Sequence, residues 1–104
     1  MAERLDPDMP NRILREGFLT SPRMARLSWA AEVFYRRLHS VVDDFGRYHA
    51  HPMLLRAACY PLQLDKVSDS DIGKWMLETA EAGLVRVFEH VGQQYLELVD
   101  FRQQ

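Results

Sequence analysis

The sequence predicts an α+β domain of three main helices and a small three-stranded antiparallel sheet. Two observations carry this. In residues 69–82, Ile72, Trp75, Met76, Thr79 and Ala80 recur at helical spacing and share one face. Directly after Gly83 the composition turns to Leu84-Val85-Arg86-Val87-Phe88. Past Val91-Gly92-Gln93 follows the period-two run Gln94-Tyr95-Leu96-Glu97-Leu98-Val99. A helix delivered straight into a hairpin, after helix, short strand and helix, is the sequential layout of a winged helix-turn-helix. One such domain is expected over residues 12–104, behind a flexible leader at 1–11 containing Pro7 and Pro10.

Each element has a local cause. Arg12-Ile13-Leu14-Arg15 is a short extended candidate, and Gly17-Phe18-Leu19 offers an aromatic to pack under the domain. Ser21-Pro22 pairs an N-cap with proline at the first helical position, for a single turn through Arg26. Ser28 caps a longer helix whose core stripe is Leu27, Ala31, Phe34, Leu38 and Val41, with Arg36 and Arg37 expected in solvent. Asp43-Asp44-Phe45-Gly46-Arg47 ends it in a glycine turn, and Arg47-Tyr48-His49 reads as a very short strand. His51-Pro52 opens a two-turn helix over 53–59, stopped by Pro61. Ser68 is the N-cap of the organising helix, Asp69 and Asp71 put negative charge where its dipole favours it, and Gly83 can take the left-handed ending. Phe101 is placed to fold back onto the core.

At 104 residues and 47% hydrophobic, the chain supports one domain with a real core. Its formal net charge of −2 gives no global basic field, so binding to nucleic acid requires a local patch. All the basic residues except Lys66 and Lys74 are arginine, which suits forked contacts to phosphate or carboxylate. The lone Cys59 excludes a disulfide framework and fits a reducing, cytoplasmic setting. No apolar run approaches the roughly 18 residues of a membrane span, and the start of the chain lacks the pattern of a secretion signal.

Several stretches together resemble the N-terminal winged-helix domains of phage and prophage replication-initiation (replisome-organiser) proteins. They are Gly17-Phe18, Leu27-Ser28, Asp43-Asp44-Phe45-Gly46-Arg47, Tyr60-Pro61, Glu81-Ala82-Gly83-Leu84-Val85 and Gly92-Gln93-Gln94-Tyr95-Leu96 followed by Asp100-Phe101. Singly they are weak; in this order and spacing, from about Arg12 to Gln103, they are more specific. The resemblance implies a DNA-binding module followed by a variable tail that engages other replication proteins. The sequence departs from that family after the sheet. Asp100 stands where asparagine is common, and Arg102 alone represents a basic run.

Candidate sites follow from these placements. The outward face of the organising helix carries Gly73, Lys74, Leu77, Glu78 and Glu81, with Ser70 and Asp71 in its first turn. Limited base readout would fall to Ser70, Lys74 and Glu78; the competing reading is a solvated acidic face. Phosphate anchoring falls to Arg47, Arg56 and Arg86, with Arg102 after the sheet and Arg23 and Arg26 at the first turn. At least four arginines on one face would be needed. The competing reading is scattered charge, with ion pairs such as Asp43 or Asp44 to Arg47. The turn at Glu89-His90 has no cation for a minor groove. Trp29, Tyr35 and Tyr48 could instead form an aromatic surface for a replication or regulatory protein, or for a second copy in a homodimer. His49, His51 and Cys59 are the one conceivable metal cluster; the reading is no metal and no cofactor, with Cys59 a small buried hydrophobe. No phosphate loop, activated serine or fixed carboxylate pair is legible, so the expectation is not an enzyme.

Overall fold

The computed structural model describes residues 21–101. In chain order they form α1 (Pro22–Ala25), α2 (Trp29–Val41), β1 (Arg47–His49), α3 (Pro52–Cys59), α4 (Asp69–Glu81), β2 (Val85–His90) and β3 (Gln93–Leu98). The architecture is α+β: four helices and one antiparallel sheet in the order β1-β3-β2. The expected leader, the extended piece at 12–15, the packing of Phe18 and the position of Arg102 all lie outside the described residues.

Capping fixes where the helices begin. Ser21 Oγ accepts from the Met24 amide, and Ser28 Oγ from the Ala31 amide. At α4 the cap is reciprocal: Ser68 Oγ accepts from the Asp71 amide, and the Asp71 carboxylate accepts from the Ser68 amide. Two orphan donors of the first turn are thereby satisfied at once. Gly83, at φ +80°, ends α4 in the left-handed region.

The core joins the stripes of α2 and α4 to the inner face of the sheet. Ala31, Phe34 and Leu38 of α2, Leu55 of α3, Ile72 of α4 and Leu96 of β3 are fully buried. Trp75 lies between elements, its ring 6.2 Å from that of Phe34 and 5.8 Å from that of Tyr60. The period of two in the hairpin does the rest: Val85, Leu96 and Leu98 face inward, and their neighbours Arg86, Tyr95 and Glu97 face outward. Phe101 packs against the core, with side-chain atoms 2.7–2.9 Å from where a Cβ on Gly46 would stand. Gly46, at φ +77°, therefore tolerates no side chain on either ground.

Three details differ from expectation. The hairpin loop has two residues, Val91 and Gly92, both with positive φ, and Gln93 belongs to β3. That is the primed turn whose twist matches the strands. Tyr35 is buried beside the α2 stripe, where burial above all, with Asp100 adding, pushes its hydroxyl up to about 12. Arg37 is only partly solvated. Its Nη1 donates to the Cys59 carbonyl at 2.6 Å, and its guanidinium lies 4.6 Å from the Tyr60 ring, tying α2 to the end of α3.

Candidate nucleic-acid interface

Alternation along three paired strands builds a continuous outer face on the sheet. Arg47 of β1, Glu97 of β3 and Arg86 of β2 stand in one row across the strands, and His49, Tyr95 and Phe88 in the next. His90, opposite Gln93, extends the face toward the turn. The Asp43 carboxylate sets the approach to β1, accepting from the amides of Phe45 at 2.8 Å and Arg47 at 3.0 Å. It is therefore a turn residue and not the ion-pair partner of Arg47.

That partner is Glu97. Arg47 Nε donates to one carboxylate oxygen at 3.4 Å, and Arg86 Nη2 to the other. The hydrogen bond from Arg86 leads the forces holding the Glu97 carboxyl below the usual carboxylate range; Arg47 adds to it, and desolvation opposes it. Glu97 is the least exposed of the three, at 24% against 48% and 58% for the arginines. The guanidiniums thus lie outermost, and these bonds use one N–H group of each, leaving most of both forks to an incoming acceptor.

The second row is aromatic. The Phe88 and Tyr95 rings lie 5.8 Å apart with planes inclined by 28°, and His49 follows at 5.3 Å and 32°. The Arg86 guanidinium sits 4.7 Å from the centre of the Phe88 ring and that of Arg47 5.8 Å away. A groove of about 480 Å³ opens over the strip, lined by Phe88, Tyr95 and His49 themselves together with Arg47, His90 and Val41.

The outward face of α4 is used differently. Asp69 pairs with Arg56 Nη1 at 3.2 Å, Asp71 belongs to the cap, and Glu78 accepts from the Ser28 amide and the Ser28 hydroxyl, each at 3.0 Å. Glu78 thus anchors the N-terminus of α2 and is not disposed toward a base. Ser70 is exposed with its hydroxyl 3.3 Å from that of Ser68, and Lys74 is exposed near Gly73, where an added Cβ would meet nothing within 4 Å.

Of the four arginines expected to share a face, Arg47 and Arg86 do. Arg56 instead joins α3 to the start of α4 and to the Leu64 carbonyl at 3.0 Å, and Arg102 is outside the described residues. Arg23 is also occupied, bonding the Gly83 carbonyl at 3.2 Å and Asp100 at 3.0 Å. The aromatic row is what the sequence reading missed. Its signal was present in the alternation Arg86-Val87-Phe88 against Tyr95-Leu96-Glu97, but locating His49 in the same row requires the strand order.

Burial pushes the Cys59 thiol up to about 11, although Arg37 opposes this, so it is protonated at neutral pH. Among the described residues no three histidine, cysteine or acidic side chains are grouped to hold a metal ion, and no helix is long and apolar enough to cross a membrane. Comparison with known proteins finds no matching family model, curated protein or solved structure.

Proposed function

We propose that this chain is a winged helix-turn-helix module that binds DNA without catalysis, in phage or prophage replication initiation in the cytoplasm. The element order and the β1-β3-β2 sheet, with the hairpin directly after α4, are consistent with that fold. The observation that carries the function is the pair Arg47 and Arg86, set side by side across the sheet with donors to spare. Arg47 and Arg86 are two of the four arginines that the sequence reading required on one face, so they make a small phosphate-anchoring set, suited to weak, salt-sensitive affinity with little reading of base edges.

Fluorescence anisotropy with labelled duplex and single-stranded DNA at several salt concentrations tests this. Binding is expected in the micromolar range and to weaken steeply with salt. Replacing Arg47 or Arg86 with alanine should reduce the salt slope by about one phosphate contact each. No binding at about 50 mM salt, where the electrostatic contribution is strong, overturns the proposal.

A second reading, a protein-interaction or dimerisation module, is favoured by Trp29. It is 89% exposed at the start of α2, with Val33 exposed one turn later. Sedimentation equilibrium of the wild type and Trp29→Ala checks it; a monomer for both removes the homodimer.

A further inference from the structure

We infer that the outer face of the sheet is a platform for unpaired bases, and that the nucleic acid this module holds there is single-stranded. The inference rests on the nucleic-acid reading above and names the form of the ligand at that site.

Four features of this face point to a base and not to a second protein surface. Phe88, Tyr95 and His49 form one aromatic strip on the side of the sheet away from the core, where cohesion of the domain requires no rings. Adjacent strands are about 4.8 Å apart, so three strands give a strip of about 10 Å, enough for one or two bases. Both guanidiniums line one side of this strip: Arg47 and Arg86 provide the phosphate contacts one row from the rings that would stack the base. Of the acids nearby, Glu97 is engaged by the two arginines and Asp43 by backbone amides. The groove over the strip leaves room for a sugar and a further ring. Stacking on a π-face accepts any base, whereas in a duplex the faces of the bases are covered by their neighbours. Aromatic rings interleaved with cations therefore favour a single strand over a duplex.

The experiment measures binding of a fluorescein-labelled twelve-nucleotide thymidine strand, a mixed-sequence single strand and its duplex to the whole chain at one salt concentration. A strand carrying 2-aminopurine reports base stacking directly. The wild type should bind the single strands more tightly than the duplex and quench 2-aminopurine. Tyr95→Ala and Phe88→Leu should each weaken single-strand binding by roughly tenfold, the loss of one base–aromatic stack. Duplex binding in these variants should change less than twofold. Tyr95→Phe keeps the ring and should retain affinity, which separates stacking from damage to the hairpin; circular dichroism confirms that each variant folds.

Duplex binding that persists while single strands bind no better, or single-strand binding indifferent to Tyr95→Ala and Phe88→Leu, overturns the platform and leaves the DNA module standing. Competition by thymidine monophosphate at the affinity of the strand also overturns it, because the site would then be a mononucleotide pocket. Absence of binding to every nucleic acid overturns both proposals and leaves the face to an acidic protein partner.

Discussion

The outward face of α4 and the outer face of the sheet both carry acids and cations and differ in what they present. Helix α4 carries Asp69, Asp71, Glu78 and Glu81 against the single cation Lys74, and its composition reads as repulsive to phosphate. Three of those acids are spent inside the molecule, on Arg56, on the cap and on Ser28. The sheet holds a mixture of Arg47, Arg86 and Glu97, in which the carboxylate lies beneath and the cations lie outermost. The number of charges on a face is therefore a poor guide to its function. What counts is the set of donors and acceptors left after intramolecular partners are satisfied.

The largest expected effect tests the structural role assigned to α4. Glu78→Ala removes two charge-assisted hydrogen bonds and a negative charge from the N-terminus of α2. Discounted for partial exposure, stability should fall by about 1–2 kcal/mol, a decrease of several degrees in thermal melting. Duplex and single-strand affinities should be unchanged. A variant that melts like the wild type but binds DNA differently would return Glu78 to the set of recognition residues.

A smaller effect sits at the end of the sheet. Val91 is a β-branched residue at φ +51°, followed by Gly92 at +76°, in a two-residue hairpin loop. Such loops favour Asn-Gly, because asparagine tolerates the left-handed region and valine does not. Val91→Asn should raise stability by up to about 1 kcal/mol, measured by urea unfolding. If affinity falls as stability rises, the strained, exposed Val91 is itself a contact residue.

The contrast between the two faces also shows where the sequence was legible. Capping serines, glycine turns and period-two alternation are local, so Ser21, Ser28, Ser68, Gly83 and the strand Arg47-Tyr48-His49 could be placed from neighbours alone. Partnerships across many residues could not. Glu78 meets Ser28 fifty positions away, Arg37 meets the Cys59 carbonyl across 22, and Arg47 meets Glu97 across 50. Helical periodicity puts Glu78 on the outward face of α4, but only the packing of α2 against α4 shows what it faces. The candidate site split the same way: Arg47 and Arg86 share a face because β3 lies between their strands, an order that no local pattern contains.

Glu97→Gln sharpens the sheet side of the comparison. The substitution removes the charge that holds both guanidiniums, and should raise affinity for DNA by roughly threefold at low salt through a stronger local field. It should also lower the melting temperature at neutral pH. A carboxyl held below its ordinary range stabilises the fold above the pKa of the unfolded chain, and that contribution is lost as pH falls through the folded value. The melting temperatures of variant and wild type should therefore converge in acid. Equal affinity for DNA would mean that Arg47 and Arg86 take no part in binding.

The smallest effect comes from a group on neither face and serves as the control. His39 packs edge-on against Tyr35 at 4.7 Å, with Nδ1 3.0 Å from the Tyr35 carbonyl. Burial lowers its pKa from 6.5, and the hydrogen bond to that carbonyl only partly opposes this. Folding thus favours the neutral ring. Stability is fully present above the unfolded pKa, declines as pH falls below 6.5, and levels off below the folded pKa. His39→Phe keeps the edge-on ring contact and removes the titration, so its melting temperature should decline less than the wild type's between pH 7 and about 5. The other histidines are common to both proteins and cancel in that difference. DNA binding should shift equally with pH in the two, since His39 lies away from both outward faces. A pH dependence of binding that disappears in His39→Phe would instead couple the α2 core to the site, and neither face could then be treated as acting alone.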